Sequence, residues 1–237
     1  MKLQRLDKII SSQLNIPRSM ARTQIHRGKV TVNGEVCRDP SAQADVNEAQ
    51  ITYKGQAVSY KEHLYLVLNK PKGIISASND KSRQTVVDLL PDRLKRNGLF
   101  PVGRLDRDTT GLLLITDDGE FAHKIISPKS EILKTYEVEL DGEITPEICK
   151  SFSAGITLAD GTPCKPATLR ILEPNKASVQ ISEGKYHQIK RMFGTVGLGV
   201  NELKRVKIGS FSLPSELLES DCRELTQKEI DSLFINH

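Results

Sequence analysis

The stretch Phe100-Pro101-Val102-Gly103-Arg104-Leu105-Asp106-Arg107-Asp108-Thr109-Thr110-Gly111-Leu112-Leu113-Leu114-Ile115-Thr116-Asp117-Asp118-Gly119 constrains this chain more than any other. Two apolar runs suited to buried strands flank a short polar connection that carries arginines, two carboxylates, two hydroxyls and a glycine. Chemistry is often placed on such a loop, because a rigid scaffold fixes the position of an otherwise mobile polar group. Spacing alone leaves a second reading open, an ordinary hairpin with a charged turn, since Asp, Thr and Gly favour turns for local reasons.

At 237 residues the chain can hold one large domain, or one domain and a small module, and 38% hydrophobic residues suffice for a packed core. The net charge of +4 does not by itself demand a nucleic-acid partner, but its distribution points to one. Cys37, Cys149, Cys164 and Cys222 are far apart and form no close pair, so they read as isolated thiols in a reducing compartment rather than as zinc ligands or disulfides. The first residues lack an apolar core of signal-peptide length, and no apolar run is long enough to span a bilayer. The expectation is a soluble, cytoplasmic protein with no membrane partner, and a monomer is favoured.

Leu3, Leu6, Ile9, Ile10 and Leu14 recur at helical spacing and predict an amphipathic helix. After Pro17, Ser19 suits the N-cap of a second helix through His26, which Gly28 can end. Val30 to Val36 reads as a hairpin turned by Asn33-Gly34, Asp39 to Asp45 as a loop, and Ile51 to Val58 as a last hairpin. Arg5, Lys8, Arg18, Arg22, Arg27 and Lys29 crowd this short module, and Asp7 is the only acidic residue before Glu35. A solvated charged face is one reading. Phosphate contact, in which each cation releases counterions, is the other. His26 has no role on this reading. Lys61-Glu62-His63 resembles a linker, so the boundary is placed near Tyr60.

Beyond it, Leu64 to Asn69 reads as a buried strand leading into the turn Lys70-Pro71-Lys72-Gly73. Asn79 to Gln84 reads as a polar loop, and Thr85 to Pro91 as a short helix. A helix over Glu120 to Ile126 should end at Ser127-Pro128. Strands are expected over 134–140, 168–172, 177–181 and from Val200, with helices over 186–196 and 225–234. Gly194 falls inside the first of these, where glycine costs about 1 kcal/mol against alanine. Strands outnumber helices without a repeating βαβ order. The fold class is therefore α+β, a small N-terminal module (1–60) followed by a larger domain (61–237) on a mixed or antiparallel sheet.

Gly103-Arg104-Leu105-Asp106, followed by Asp108-Thr109-Thr110-Gly111-Leu112-Leu113, resembles the active-site signature of the pseudouridine synthases. Arg5-Leu6-Asp7, Ser19-Met20-Ala21-Arg22 and Ile25 to Gly34 resemble an S4 RNA-binding domain. The motifs run through both domains in the order of the branch that joins the two. Glu183 to Met192 is most similar to members acting on 16S ribosomal RNA. Large-subunit members usually carry Asn-Arg-Gln where this chain has Tyr186-His187-Gln188.

The resemblance implies isomerisation of a uridine by breaking N1–C1′, turning the base and rejoining through C5. That reaction needs neither metal nor cofactor, and one carboxylate acting as nucleophile or base could suffice. By resemblance Asp106 is that carboxylate, Tyr136 stacks on the target base, and Lys190 supplies the cation paired with the aspartate. Asp108 reads as turn-forming. Arg104, Lys185, His187, Arg191, Leu203 and Lys70 are expected at the substrate, with Leu203 walling the base pocket. Arg205 belongs to the same Leu-x-Arg-x-x-Ile-Gly element as Leu203. Arg5, Arg18, Arg22, Arg27 and Lys29 are expected to meet RNA phosphates, and ribosomal RNA, alone or in an assembling particle, is the implied partner. The alternatives are a synthase acting on 23S rRNA and a non-catalytic RNA-binding or assembly protein.

Overall fold

The computed structural model describes residues 2–127 and 129–236; Pro128, the expected helix end, lies outside them. It forms two compact units, Met1–His63 with Pro91–Gly98, and Leu64–Leu90 with Leu99–His237. A boundary near Tyr60 does not anticipate the return of 91–98 to the first unit. There Arg96 donates to the carbonyls of Lys61 and Glu62, at 2.9 and 2.7 Å.

The first unit runs β1 (Leu3–Arg5), α1 (Leu6–Gln13), α2 (Arg18–His26), β2 (Val30–Val32), β3 (Glu35–Cys37), β4 (Gln43–Asp45), β5 (Ile51–Tyr53) and β6 (Gln56–Ala57). The first helix starts at Leu6 rather than Leu3, because β1 pairs antiparallel with β4, in the segment expected to be loop. Leu6, Ile9, Ile10, Ala21, Ile25 and Val30 are fully buried, so the helical spacing does place one apolar stripe in a core. The second helix begins at Arg18, ahead of Ser19, with Pro17 before it and no side-chain cap. Asn33 and Gly34 take φ of 52° and 88°, as the expected Asn-Gly turn requires.

The second unit continues with β7 (Tyr65–Lys70), β8 (Phe100–Pro101), β9 (Thr110–Thr116), α3 (Gly119–Ile126), β10 (Lys134–Leu140), α4 (Pro146–Ala154), β11 (Thr168–Glu173), β12 (Lys176–Ile181), α5 (Gln188–Thr195), β13 (Val200–Ile208), β14 (Phe211–Ser212), β15 (Cys222–Glu224) and α6 (Gln227–Ser232). One sheet in the order β11-β12-β10-β13-β9-β7-β15 carries it, with β8 beside β9 and β14 beside β13. The β9–β13 junction is parallel and its neighbours are antiparallel, so the sheet is mixed. Leu66, Val67, Leu68, Leu112 and Leu113 are fully buried, which accounts for apolar runs without a polar face.

Strands β14 and β15 fall in segments left without an expected strand, and two further elements differ from expectation. Thr85–Pro91 is a series of turns rather than a helix. Thr85 and Asp88 bond each other's backbone amides, at 2.8 and 3.3 Å, in a segment too short to propagate before Pro91. Helix α4 was not foreseen; it buries a single side chain, Phe152, which packs on Phe193 with ring centroids 4.7 Å apart.

The parallel junction sets the geometry of the site. Its register pairs Lys204 with Thr110 and Arg205 with Gly111. Gly111 has φ +95°, and a Cβ there would stand 2.3 Å from the Arg205 carbonyl oxygen. Only glycine lets the two strands close.

Candidate active site

The loop between Leu105 and Thr109 is fastened from both sides. Ser76 Oγ accepts from Leu105 N at 3.0 Å and donates to Leu105 O at 2.8 Å. Lys70 Nζ donates to the carbonyls of Thr109 (2.9 Å), Pro71 (3.0 Å) and Arg107 (3.3 Å). Gly73 N donates to Arg107 O at 2.8 Å, and Thr109 N to Asp106 O at 3.1 Å. Asp106 therefore projects from a backbone held at nearly every residue, which is the pre-organisation a reacting carboxylate needs.

Lys70 differs from its expected place at the substrate. It is fully buried and its donors are spent on backbone carbonyls. Burial pulls its pKa down to about 8 against the opposing pull of Asp108 and Asp106. It positions the loop. Sequence reasoning missed Ser76 altogether, since nothing in its local sequence marks a residue whose partner lies at Leu105.

Asp106 lines a cleft of about 930 Å³ with Arg104, Phe100, Ile126, Tyr186 and His187. It also lines a small recess of about 80 Å³ walled by Tyr136, Leu203, Ile181 and Ile189. Tyr136, Leu203 and Asp106 thus line one recess. Tyr136 lies opposite Arg205 in the β10–β13 register. The Arg205 guanidinium, 5% exposed, donates Nε to Leu112 O at 2.8 Å and Nη1 to the Tyr136 hydroxyl at 3.4 Å, linking β9, β13 and β10 beneath the recess. Among the described residues Arg205 Nη2 and Thr109 Oγ1 are buried without a hydrogen-bond partner.

The expected Asp106–Lys190 pair is not formed. Lys190 Nζ lies 2.5 Å from Asp108 Oδ2 and holds that carboxyl below the usual carboxylate range, while His187 Nε2 stands 3.4 Å from Asp106 Oδ1. The cause is local. His187 adopts a left-handed conformation (φ 47°, ψ 35°) as it enters α5, which turns its ring toward Asp106. One helical turn on, Lys190 meets the exposed loop carboxylate, and a lysine's point charge imposes no bidentate geometry to prevent it.

The other basic positions divide in two. Lys185 donates to Pro163 O and pairs with Glu183 at 3.4 Å; Arg191 pairs with Asp160 at 2.5 Å. Both therefore differ from the free phosphate contacts expected of them. Arg104 is exposed and, among the described residues, has no hydrogen-bond or ion-pair partner.

In the first unit, the fully buried Asp7 gathers three of the arginines expected at phosphates: Arg18 at 2.8 Å, Arg22 at 2.9 Å and Arg5 at 3.2 Å. Burial would raise the Asp7 pKa, but hydrogen bonds from Arg18, Arg5 and Arg22 outweigh it and hold the carboxyl below its usual range. The sequence reading missed this anchoring role of Asp7. Each guanidinium remains about half exposed, so three cations around one anion leave a fixed positive surface. Arg27 and Lys29 are exposed. His26 Nδ1 lies 3.1 Å from Arg38 O, which gives that residue a structural role.

Among the described residues no helix is long and apolar enough to cross a membrane. The family model for RNA pseudouridylate synthase matches residues 64–195, and that for the S4 domain residues 4–49. The chain is 39% identical over 233 residues to the uncharacterized RNA pseudouridine synthase YtzG of Bacillus subtilis, covering 97% of this chain and 98% of that one. It is 38% identical over 231 residues to the ribosomal small subunit pseudouridine synthase A of Escherichia coli, covering 97% and 99%. A crystal structure of a pseudouridylate synthase superposes with a TM-score of 0.69 at 38% identity, covering 97% and 99% of the two chains. An S4 domain followed by this mixed-sheet domain, with matches across nearly the full length, makes the chain a member of the RNA pseudouridine synthases, enzymes that isomerise uridine.

Proposed function

We propose that the chain converts a uridine of 16S ribosomal RNA to pseudouridine in the cytoplasm, with Asp106 as the acting carboxylate and no cofactor. The observation that carries this reading is the fastening of the backbone on either side of Asp106 by Ser76 and Lys70, beside a recess walled by Asp106, Tyr136 and Leu203. In the reaction the N1–C1′ bond breaks and a C5–C1′ bond forms. The proton lost from C5 is balanced by one gained at N1, so no redox partner is needed. A carboxylate at the recess mouth can serve at the sugar or the ring. Tyr136 and Leu203 supply the flat apolar contact that compensates a uracil for leaving its stack.

The 16S target is supported by the small-subunit relative and by Tyr186-His187-Gln188 in the segment that resembles such enzymes. Residues 1–60 hold the RNA through Arg5, Arg18, Arg22, Arg27 and Lys29. The second unit, Leu64–Leu90 with Leu99–His237, does the chemistry, with Lys190 steadying the loop through Asp108 and Arg104 meeting the backbone of the target strand.

The test is tritium release from 5-tritiated 16S transcripts by the purified chain and by Asp106→Asn. The wild type should release tritium and the variant should not, while both bind RNA equally. Release by Asp106→Asn would refute the assignment of the carboxylate.

A further inference from the structure

Tyr186 is an aromatic side chain 72% exposed, the highest value among the large apolar side chains of the described residues. It lines the same cleft as Asp106. Its ring stacks on that of His187, with centroids 3.9 Å apart and planes 18° from parallel. One face is therefore covered by imidazole and the other stands open to the cleft.

The stack is built, not incidental. His187 holds its position with a left-handed backbone (φ 47°), uncommon outside glycine although histidine enters it more readily than most residues. Buried Gln188 locks the turn that imposes it, accepting from Lys185 N and donating to Glu183 Oε1, each at 2.9 Å. Arg191 Nη1 donates to Tyr186 O at 3.3 Å, so both ring-bearing residues are held by their backbones. Strain maintained beside a reacting carboxylate, in a segment that leaves a tyrosine exposed, points to a ligand that uses the open face.

The cleft defines that ligand. Phe100 and Ile126 supply apolar lining and Arg104 an exposed guanidinium without a partner among the described residues. The other cleft cations are engaged: Arg83 by Asp80, Arg107 by Gly73 O and Lys185 by Glu183. A nucleotide, a flat neutral base beside one phosphate, matches an exposed ring beside one unpaired guanidinium. We propose that the open face of Tyr186 seats the base of the nucleotide next to the target uridine, with Arg104 on the intervening phosphate. This rests on the reading of Asp106 as the acting carboxylate. His187 then has two jobs, backing the tyrosine and standing 3.4 Å from Asp106, so occupation of the neighbouring subsite fixes the ring that faces the carboxylate.

The test uses the full chain on a 16S transcript fragment containing the modified uridine. Tyr186→Phe keeps the platform and should keep KM within twofold of wild type. Tyr186→Leu should raise KM about tenfold, toward the lower end of what loss of one base–aromatic stack produces, with kcat within about threefold. In a second arm, 2-aminopurine replaces each neighbour of the target uridine in turn. One position should be quenched on binding by wild type and Tyr186→Phe but not by Tyr186→Leu. Unchanged KM and quenching in Tyr186→Leu would overturn the subsite alone. Absence of pseudouridine with the wild-type chain would overturn the functional reading, and the subsite with it.

Discussion

Replacing Gly111 by alanine should do far more damage than the same change at Gly194, and the structure supplies both magnitudes. At Gly111 the new Cβ would lie 2.3 Å from Arg205 O and 3.0 Å from Arg205 N, at φ +95°. Relief needs the strands to part by about 1 Å, enough to break hydrogen bonds whose ordinary length is ~2.9 Å. The positive φ adds ~1–2 kcal/mol of backbone strain. Together these amount to roughly 3–5 kcal/mol, the range of severe single substitutions. For a unit of this size that lowers the melting temperature by about 6–20 °C. The loss falls at the junction that sets the Asp106 loop beside β13, so turnover should fall with it.

At Gly194, in α5, a Cβ meets nothing within 4 Å and the backbone is helical. Gly194→Ala should therefore stabilise by up to about 1 kcal/mol and raise the melting temperature by ~2–4 °C. Thermal unfolding of the full chain followed by circular dichroism measures both. A Gly111→Ala variant melting within 2 °C of wild type would refute the steric argument.

Three further outcomes are expected. Lys70 has a folded pKa of about 8 against an ordinary value of 10.5, so between these values the unfolded chain binds more protons and this group's contribution to stability rises with pH. The unfolding free energy of wild type minus that of Lys70→Met should therefore increase by about 2 kcal/mol from pH 7 to pH 10, measured by urea titration; a flat difference would mean Lys70 is not desolvated. Ser76→Ala removes both partners of the Leu105 backbone, and kcat should fall about tenfold with KM preserved; an unchanged kcat would show that the loop is held without it. Arg27 and Lys29 are exposed basic side chains on the first unit, so Arg27→Ala with Lys29→Ala should flatten the log–log salt dependence of RNA binding by about 1.5. An unchanged slope would place phosphates elsewhere.

The parts of the site legible in the sequence are those where chemistry and backbone share one segment. Gly103 to Leu113 announces a fixed carboxylate between buried strands, and its glycine is explained by the close approach of Arg205. Tyr136 and Leu203, which the resemblance singled out, line one recess with Asp106, on strands expected over 134–140 and from Val200. What was not legible depends on partners distant in sequence. Ser76 and Lys70 act on Leu105, Arg107 and Thr109, and no local pattern marks a side chain for a backbone carbonyl that far away. Strand β4 carries three residues and exists because β1 pairs with it. The exchange of partners between His187 and Lys190 turns on one left-handed residue, a conformation that histidine enters more often than most residues but that nothing in its local sequence marks. The cluster on Asp7 was visible as excess basic charge, not as an anchored array, because burial of the single carboxylate cannot be read from spacing.

We propose that Asp106 acts in the isomerisation of one uridine of 16S rRNA. Pseudouridine mapping of 16S and 23S rRNA from cells lacking this gene tests it most directly. Loss of a single 16S site is expected, restored by the wild-type gene and not by Asp106→Asn. Restoration by Asp106→Asn, or a loss confined to 23S rRNA, would contradict it.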